Sequence, residues 1–326
     1  MIKPSLAVSM LVAVQLLAVQ IASAQSFPSK PLRIIMPNVV GGPHDTAARA
    51  AAQSLSQTFG QPVVVDNRPA GNGVIGTLAC AKAPPDGYSL CLNSLTNISL
   101  NPFLIANLPY DPPKDFAPVI QMGTLNSAFV VNPAMAGVNN VKDLLDAARA
   151  RPATITWSSF GPSSNGFLYQ QWLKKARNAV FLDVPYKSAI QGLNAALAGE
   201  VQVSSYALGG VTPHIKAGKL RALAVSGERR SAFLPDVPTM KEQGIELDIG
   251  NWFGIFAPVD TPRPVVQRLN AEFAKLLADP EYSKKVLVSQ GFDPEPVNTP
   301  EQFAAFLKAN REMCENLVKT IGMKPE

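Results

Sequence analysis

Residues 32–66, reading LRIIMPNVVGGPHDTAARAAAQSLSQTFGQPVVVD, constrain the fold of this chain more than any other stretch. The apolar run Leu32 to Met36 reads as a buried strand. A turn with Gly41, Gly42 and Pro43 follows, then a polar start, His44-Asp45-Thr46. Ala48, Ala51, Ala52, Leu55 and Phe59 then recur on one side of a helix that Gly60 stops. Pro62 to Val65 reads as the next strand. Strand, glycine turn, helix and strand make a βαβ unit. Its turn lies at the carboxyl end of the first strand, where α/β proteins bind small ligands. Free backbone N–H groups and the positive end of a helix dipole suit that turn to an anion.

The same alternation continues along the chain. Gly76 to Ala83 reads as a helix and Tyr88 to Leu92 as a strand, whereas the polar, proline-broken stretch from Asn93 to Asp115 reads as loop. Val119 to Met122 and Ala128 to Val131 are two more strands, with passage into a second domain near Gly123 to Asn126. There, helices at Val141–Ala150, Phe167–Ala176, Ala189–Leu197 and Thr212–Ala217 alternate with strands at Thr154–Ser158, Val180–Val184, Val201–Tyr206 and Leu220–Val225. The strand Trp252 to Ala257 returns the chain to the first domain, and a helix starting at Pro262 runs to Ala278. Another short helix starts at Pro280. Thr299 and Gln302 have capping-box spacing at the head of a last helix reaching Ile321. The expected division is a signal segment at 1–24, a first lobe from 25–125 and 250–326, and a second lobe from 126–249.

The signal segment has a positive start at Lys3, an apolar run from Leu6 to Val19, and a small-residue cleavage site, Ala22-Ser23-Ala24. The run is too short to favour a membrane span. The mature chain is therefore expected from Gln25, in the periplasm. At 326 residues, 47% hydrophobic and 16% charged, the chain has enough apolar material for two domains. The net charge of +5 falls to +4 without Lys3, a balance that helps attract small anions. Lys174, Lys175 and Arg177, and the pair Arg229-Arg230, read as solvated faces, so no nucleic acid is expected as a partner. Cys80 and Cys91 can meet across a helix and the next strand, and an oxidising compartment permits one disulfide; the sequence leaves that pairing open. Cys314 is expected as a buried thiol. With no C-x-x-C and only His44 and His214, no metal site or cofactor is expected.

Several motifs have a plain and a functional reading. Gly71-Asn72-Gly73-Val74-Ile75-Gly76 matches G-x-G-x-x-G, but Asn67 to Ala70 separate it from the strand, and the next strand ends in Asn93-Ser94 instead of an acid. A tight helix start explains it better than a dinucleotide site. Gly161-Pro162-Ser163-Ser164-Asn165-Gly166 misses the nucleophile-elbow spacing, and nothing ties His214, read at a helix start, to Ser163. A secreted hydrolase using Ser163 or His44 is thus the weaker reading. Ser163, Ser164 and Asn165 instead supply hydroxyl, amide and N–H donors that suit a carboxylate. Asp45 reads as a helix cap, with His44 at the cleft wall. Asn93, Ser94, Thr96 and Asn97 form either a simple turn or a polar wall at the same strand end as Gly41-Gly42.

Taken together, PLRIIMPNVVGGPHDTAAR from Pro31, GQPVVVDNRPAGNGVIG from Gly60, APPDGYSLCL from Ala83 and LPYDPPKDFAPV from Leu108 carry a family resemblance. VPYK from Val184, PHIKAGKLRALAVSGERRSAFLPDVPTMKEQG from Pro213 and WFGIFAPVDTPRPVVQRLN from Trp252 extend it over the whole mature chain. The chain resembles the Bug-type periplasmic receptors, the solute-binding proteins of tripartite tricarboxylate transporters. The resemblance implies a two-lobed α/β periplasmic binding protein, a type II-like Venus flytrap in which each lobe is a mixed sheet flanked by helices. It implies binding without catalysis, of a small carboxylate such as an amino acid, a di- or tricarboxylate or an aromatic acid. It implies a monomer that serves membrane transporter subunits or a sensor kinase. The ligand carboxylate would be held mainly by backbone N–H groups and waters, from Val40, Gly41, Gly42, Pro43, His44, Asp45 and Thr46 in one lobe and from Phe160, Ser163, Ser164 and Asn165 in the other. Ser94, Thr96, Asn97 and Tyr206 complete the expected walls. Three places depart from the family pattern. Asn38-Val39-Val40 stand where prolines and an aromatic are usual, Gly166 where a histidine is favoured, and Ser204-Ser205-Tyr206 where an acid or asparagine is common.

Overall fold

The computed structural model describes residues 27–161, 164–227, 229–231, 233–247 and 249–325. The expected signal segment and Ser163 lie outside the described residues. The first strand, β1 (Leu32–Met36), shows why this sequence builds layers. Leu32, Ile34 and Met36 point to one face of a sheet, while Ile35 points to the other. Helix α1 (Pro43–Phe59) lays Ala47, Ala48, Ala51, Ala52 and Leu55 on the first face. After β2 (Val63–Asn67), helix α2 (Val74–Ala81) covers the other face, and β3 (Ser89–Ser94) pairs with β1. The paired cysteines of α2 and β3, Cys80 and Cys91, form a disulfide with Cα atoms 5.8 Å apart. Cys314 is free and buried, and burial pushes its thiol up to about 12.

Strand β4 (Phe116–Leu125) leaves this sheet, and after the single residue Asn126 the chain enters β5 (Ser127–Val131) of a second sheet. There follow α3 (Val141–Ala150), β6 (Thr156–Ser159), α4 (Asn165–Arg177), β7 (Leu182–Pro185), α5 (Ala189–Ala198), β8 (Val203–Ala207), α6 (Leu208–Lys216) and β9 (Arg221–Val225). Strand β10 (Asn251–Pro258) rejoins the first sheet, followed by α7 (Arg263–Ala278), the short edge strand β11 (Phe292–Pro294) and the long α8 (Pro300–Ile321). Sheet orders are β11-β4-β10-β3-β1-β2 and β7-β6-β8-β5-β9. Among the described residues no helix is long and apolar enough to cross a membrane.

Pairing fixes which strand ends meet. Leu125 pairs with Asn251 and Ser127 with Ala207, so the ends of β4 and β8 and the start of β10 share one junction between the sheets. Ser94 pairs with Phe253, two residues into β10, and β1, β2 and β3 are parallel. In the second sheet, β6 runs parallel to both β7 and β8. The carboxyl ends of the parallel strands of both sheets therefore face the junction. Asn126 fastens it: its carbonyl accepts from Leu208 N–H at 2.9 Å, its amide donates to Asp293, and its side-chain oxygen accepts from Ser226 Oγ at 3.3 Å.

The secondary structure departs from the sequence reading in several places. The stretch Asn93 to Asp115, expected as loop, holds a π-helical turn at Thr96–Leu100 and single helical turns at Asn101–Leu104 and Pro112–Asp115. Leu95, Ile98 and Leu100 are buried there, and Tyr110 Oη donates to Asn97 O at 2.8 Å, so tertiary packing overrides the prolines. Strand β11 was not expected, because Phe292 is its sole large apolar residue. Helix α6 starts at Leu208, not Thr212, which puts Pro213 inside it and His214 in its last turn. Pro262 stands just ahead of α7 as its cap, and not as its first residue. The Thr299–Gln302 capping box is present in both directions, at 2.9 and 3.2 Å.

Candidate ligand-binding site

The first-lobe turn links β1 to α1. Gly41 takes φ +81°, a conformation in which a side chain is strained, and Gly42 caps the helix through an extended backbone. Asp45 does not cap the helix as expected. Its carboxylate turns back, accepting from Gly41 N–H and Arg49 Nε at 2.9 Å each and from Asn67 Nδ2 at 2.9 Å. Arg49 also reaches Asn67 Oδ1 at 2.8 Å, and Asn67 Nδ2 donates to Asn38 O at 3.1 Å. Burial pushes the Asp45 carboxyl upward, but the donors from Arg49, Gly41 and Asn67 outweigh it and hold the group below the usual carboxylate range. Among the described residues, Gly42, His44 and Asp45 N–H meet no acceptor, while Thr46 N–H bonds Gly42 O at 3.0 Å. His44 lies edge-on between Phe253 and Phe292, with ring centroids 5.2 and 5.1 Å away. Burial lowers its imidazole to about 4, and Nε2 has no partner. A neutral imidazole held between two phenyl rings fits a packing role, not acid–base work.

The second-lobe turn links β6 to α4 and is built differently. Ser164 is the cap; its Oγ accepts from Phe160 N–H at 3.1 Å and Phe167 N–H at 3.4 Å, and donates to Gly161 O at 2.7 Å. No acid stands in the first turn of α4. Asn165 Nδ2 donates to Ile249 O at 2.9 Å, which ties the helix start to the segment leading into β10. Gly166 is fixed by packing, since a Cβ there would lie 2.9 Å from Ser158 O. A histidine at this place would push α4 off β6. Phe160 leans on Tyr206 at 6.0 Å between centroids, and Tyr206 Oη lies 3.1 Å from Ser158 Oγ.

At the end of β3 the side chains are mostly engaged within the lobe. Ser94 Oγ donates to Asn97 Oδ1 at 3.3 Å, Asn97 Nδ2 reaches Asn72 O at 3.4 Å, and both residues are buried, whereas Thr96 is half-buried. The glycines at 71–73 serve this packing: a Cβ on Gly73 would meet Asn97 Nδ2. A third helix start at the junction was missed in the sequence. Helix α6 follows β8 directly, and Gly209 lies against Gln290 and Gly291, just ahead of β11 in the other sheet. The signal was the pair Gly209-Gly210 just after a strand, the same signal that marked Gly41-Gly42. Among the described residues no group of three His, Cys, Asp or Glu is placed to hold a metal ion.

A family profile described as "Tripartite tricarboxylate transporter family receptor" matches residues 47–323. This chain belongs to that receptor family. Bordetella pertussis BugT is 32% identical over 307 residues, covering 93% of this chain and 92% of BugT. The structure of the periplasmic binding protein BugD superposes with TM-score 0.76 at 30% identity, covering 92% of this chain and all of BugD's. An R. palustris protein solved with adipate superposes with TM-score 0.79 at 30% identity, over 92% of this chain and 100% of that one. The receptor thus has the mixed α/β, two-sheet architecture of periplasmic binding proteins, as the resemblance implied. It is a solute-binding protein and not an enzyme. Its first-lobe turn, its two second-lobe helix starts and the Phe160–Tyr206 pair all stand at strand ends facing the junction between sheets.

Proposed function

We propose that this receptor captures a small carboxylate between its lobes and delivers it to the membrane subunits of a tripartite transporter. The observation that carries this reading is the start of α4, where a serine cap, a helix N-terminus and a first turn without an acid suit an anion, together with the Gly41-Gly42 turn of the other sheet. The lobes comprise 25–125 with 250–326, and 126–249, hinged at Asn126 and at the segment before β10. One carboxylate is held by Gly42, His44 and Asp45 N–H from one side and by Ser163, Ser164 and Asn165 from the other. Val40, Gly41, Pro43, Thr46, Thr96, Phe160 and Tyr206 shape the walls, and Ser94 and Asn97 support them from behind. Residues 1–24 direct export and are cleaved before Gln25, and the receptor works as a monomer. Adipate in one structural relative and malate in another, at 25% identity, support the ligand class.

Calorimetry and thermal shift with a panel of carboxylates test this. Binding raises the melting temperature with no turnover. A panel without any binder, or ester hydrolysis abolished by Ser163→Ala, would overturn it. Co-purification of a membrane sensor kinase in place of transporter subunits would redirect the delivery step. The amino terminus of the exported protein, read by sequencing, checks cleavage before Gln25.

A further inference from the structure

Among the described residues, four of the eight exposed large apolar side chains share one place in the fold. Val39 and Val40, 62% and 70% exposed, follow β1; Ile75, 55% exposed, opens α2 after β2; and Ile190, 73% exposed, opens α5 after β7. All four stand at carboxyl ends of strands, the ends that face the junction. The other exposed large apolar residues lie on edge strands or beyond strand ends that point away from it. Apolar exposure repeated at the strand ends that face the junction fits a ligand groove better than idle surface. The second lobe adds a half-buried Phe160 ring tilted against Tyr206. Gly192 in the first turn of α5 makes room for both, because a Cβ there would lie 2.8 Å from the Phe160 ring and 2.9 Å from Tyr206 Oη.

Charge points the same way. Arg49 and Arg68, which follow the Gly41-Gly42 turn and β2, are bound to Asp45 and Asp66 at 2.9 Å each. A second carboxylate on the ligand would find those cations already paired, and would sit against apolar side chains without adequate solvation.

We propose that the ligand is a monocarboxylate with an apolar tail or ring, its far end enclosed by Val39, Val40 and Ile75 from one lobe and by Phe160 and Ile190 from the other. This rests on the carboxylate-receptor reading and narrows it. Calorimetry with butyrate, hexanoate, benzoate, malate, adipate and citrate tests the two separately. Hexanoate and benzoate should bind more tightly than malate, adipate and citrate, with affinity rising about fourfold per methylene from butyrate to hexanoate. The double variant Val40→Ser, Ile190→Ser changes two exposed positions, so it should keep its fold. It should flatten that chain-length series and weaken hexanoate about tenfold. Tighter binding of malate, adipate or citrate, or a flat series in the unchanged protein, overturns the apolar assignment and leaves the carboxylate receptor standing. Failure of every acid to bind overturns the receptor reading itself, and this assignment with it.

Discussion

The two glycine turns at the junction occupy matching places in their sheets, yet they are held in different ways. The Gly41-Gly42 turn is fastened by charge: Asp45, Arg49 and Asn67 close a ring of hydrogen bonds around it, and one of its own amides, Gly41 N–H, is consumed in that ring. The turn before α4 is fastened by a neutral hydroxyl, Ser164, and the first turn of its helix carries no acid. An anion arriving at the first turn meets a carboxylate already in place, partly offset by Arg49. An anion arriving at the second meets the positive end of a helix whose first turn carries no acid. The first turn should therefore carry stability and the second affinity.

Acid should expose that division most strongly. Unfolded His44 takes its proton near 6.5, whereas the folded group, desolvated between Phe253 and Phe292, takes it only at about 4. The unfolded chain thus binds the proton first, and stability falls as pH drops through this window by about 1.4 kcal/mol per pH unit, about 3 kcal/mol in all. Urea unfolding of the protein and of His44→Phe between these limits should show the slope reduced in the variant. Equal slopes would remove His44 as the cause. Asp45 acts lower: its carboxyl is held below the usual carboxylate range, so its contribution is present above that range and is lost as pH falls through and below it.

Next in size is Asp45→Asn, which keeps the shape of the side chain and removes the charge that Arg49 and Gly41 N–H share. Unfolding should become easier by about 2 kcal/mol. Affinity for a carboxylate should hold or rise, since a like charge has left the first turn. A variant of full stability and weak binding would reverse the division between the turns.

These differences were only partly legible in the sequence. The βαβ unit, the second α/β run and the Thr299 cap were readable because apolar periodicity, glycine stops and capping pairs act over a few residues. The direction of the Asp45 side chain was not, since its partner Asn67 arrives from the next strand, 22 positions on. Asn93 to Asp115 read as loop because its helical turns rest on Tyr110 and on burial of Ile98 and Leu100, which local sequence does not display. Gly166 was visible as a departure from the family pattern, but its reason, the approach of Ser158 O, is purely spatial. The turns at the strand ends were legible as glycine-rich helix starts, whereas the different side chains that fasten them were not.

The smallest effects on the fold should fall on residues that matter most for the ligand. Ser164→Ala removes one cap, at a cost of about 1 kcal/mol in stability. Gly42→Val should cost about as much, because valine caps a helix less well than glycine, although Gly42 has an ordinary extended backbone at φ −79° and a Cβ there has no neighbour nearer than Val39 O at 3.7 Å. Both variants should nevertheless weaken a carboxylate ligand about tenfold or more, equal to about 1.4 kcal/mol. Ser164→Ala withdraws a hydroxyl that orders the anion seat, and Gly42→Val places an isopropyl group over the amides that should approach it. Measured together by urea unfolding and calorimetry, the pair separates seat from scaffold. Gly42→Val binding as tightly as the unchanged protein would mean that the first turn does not touch the ligand, and that the start of α4 holds the carboxylate without it.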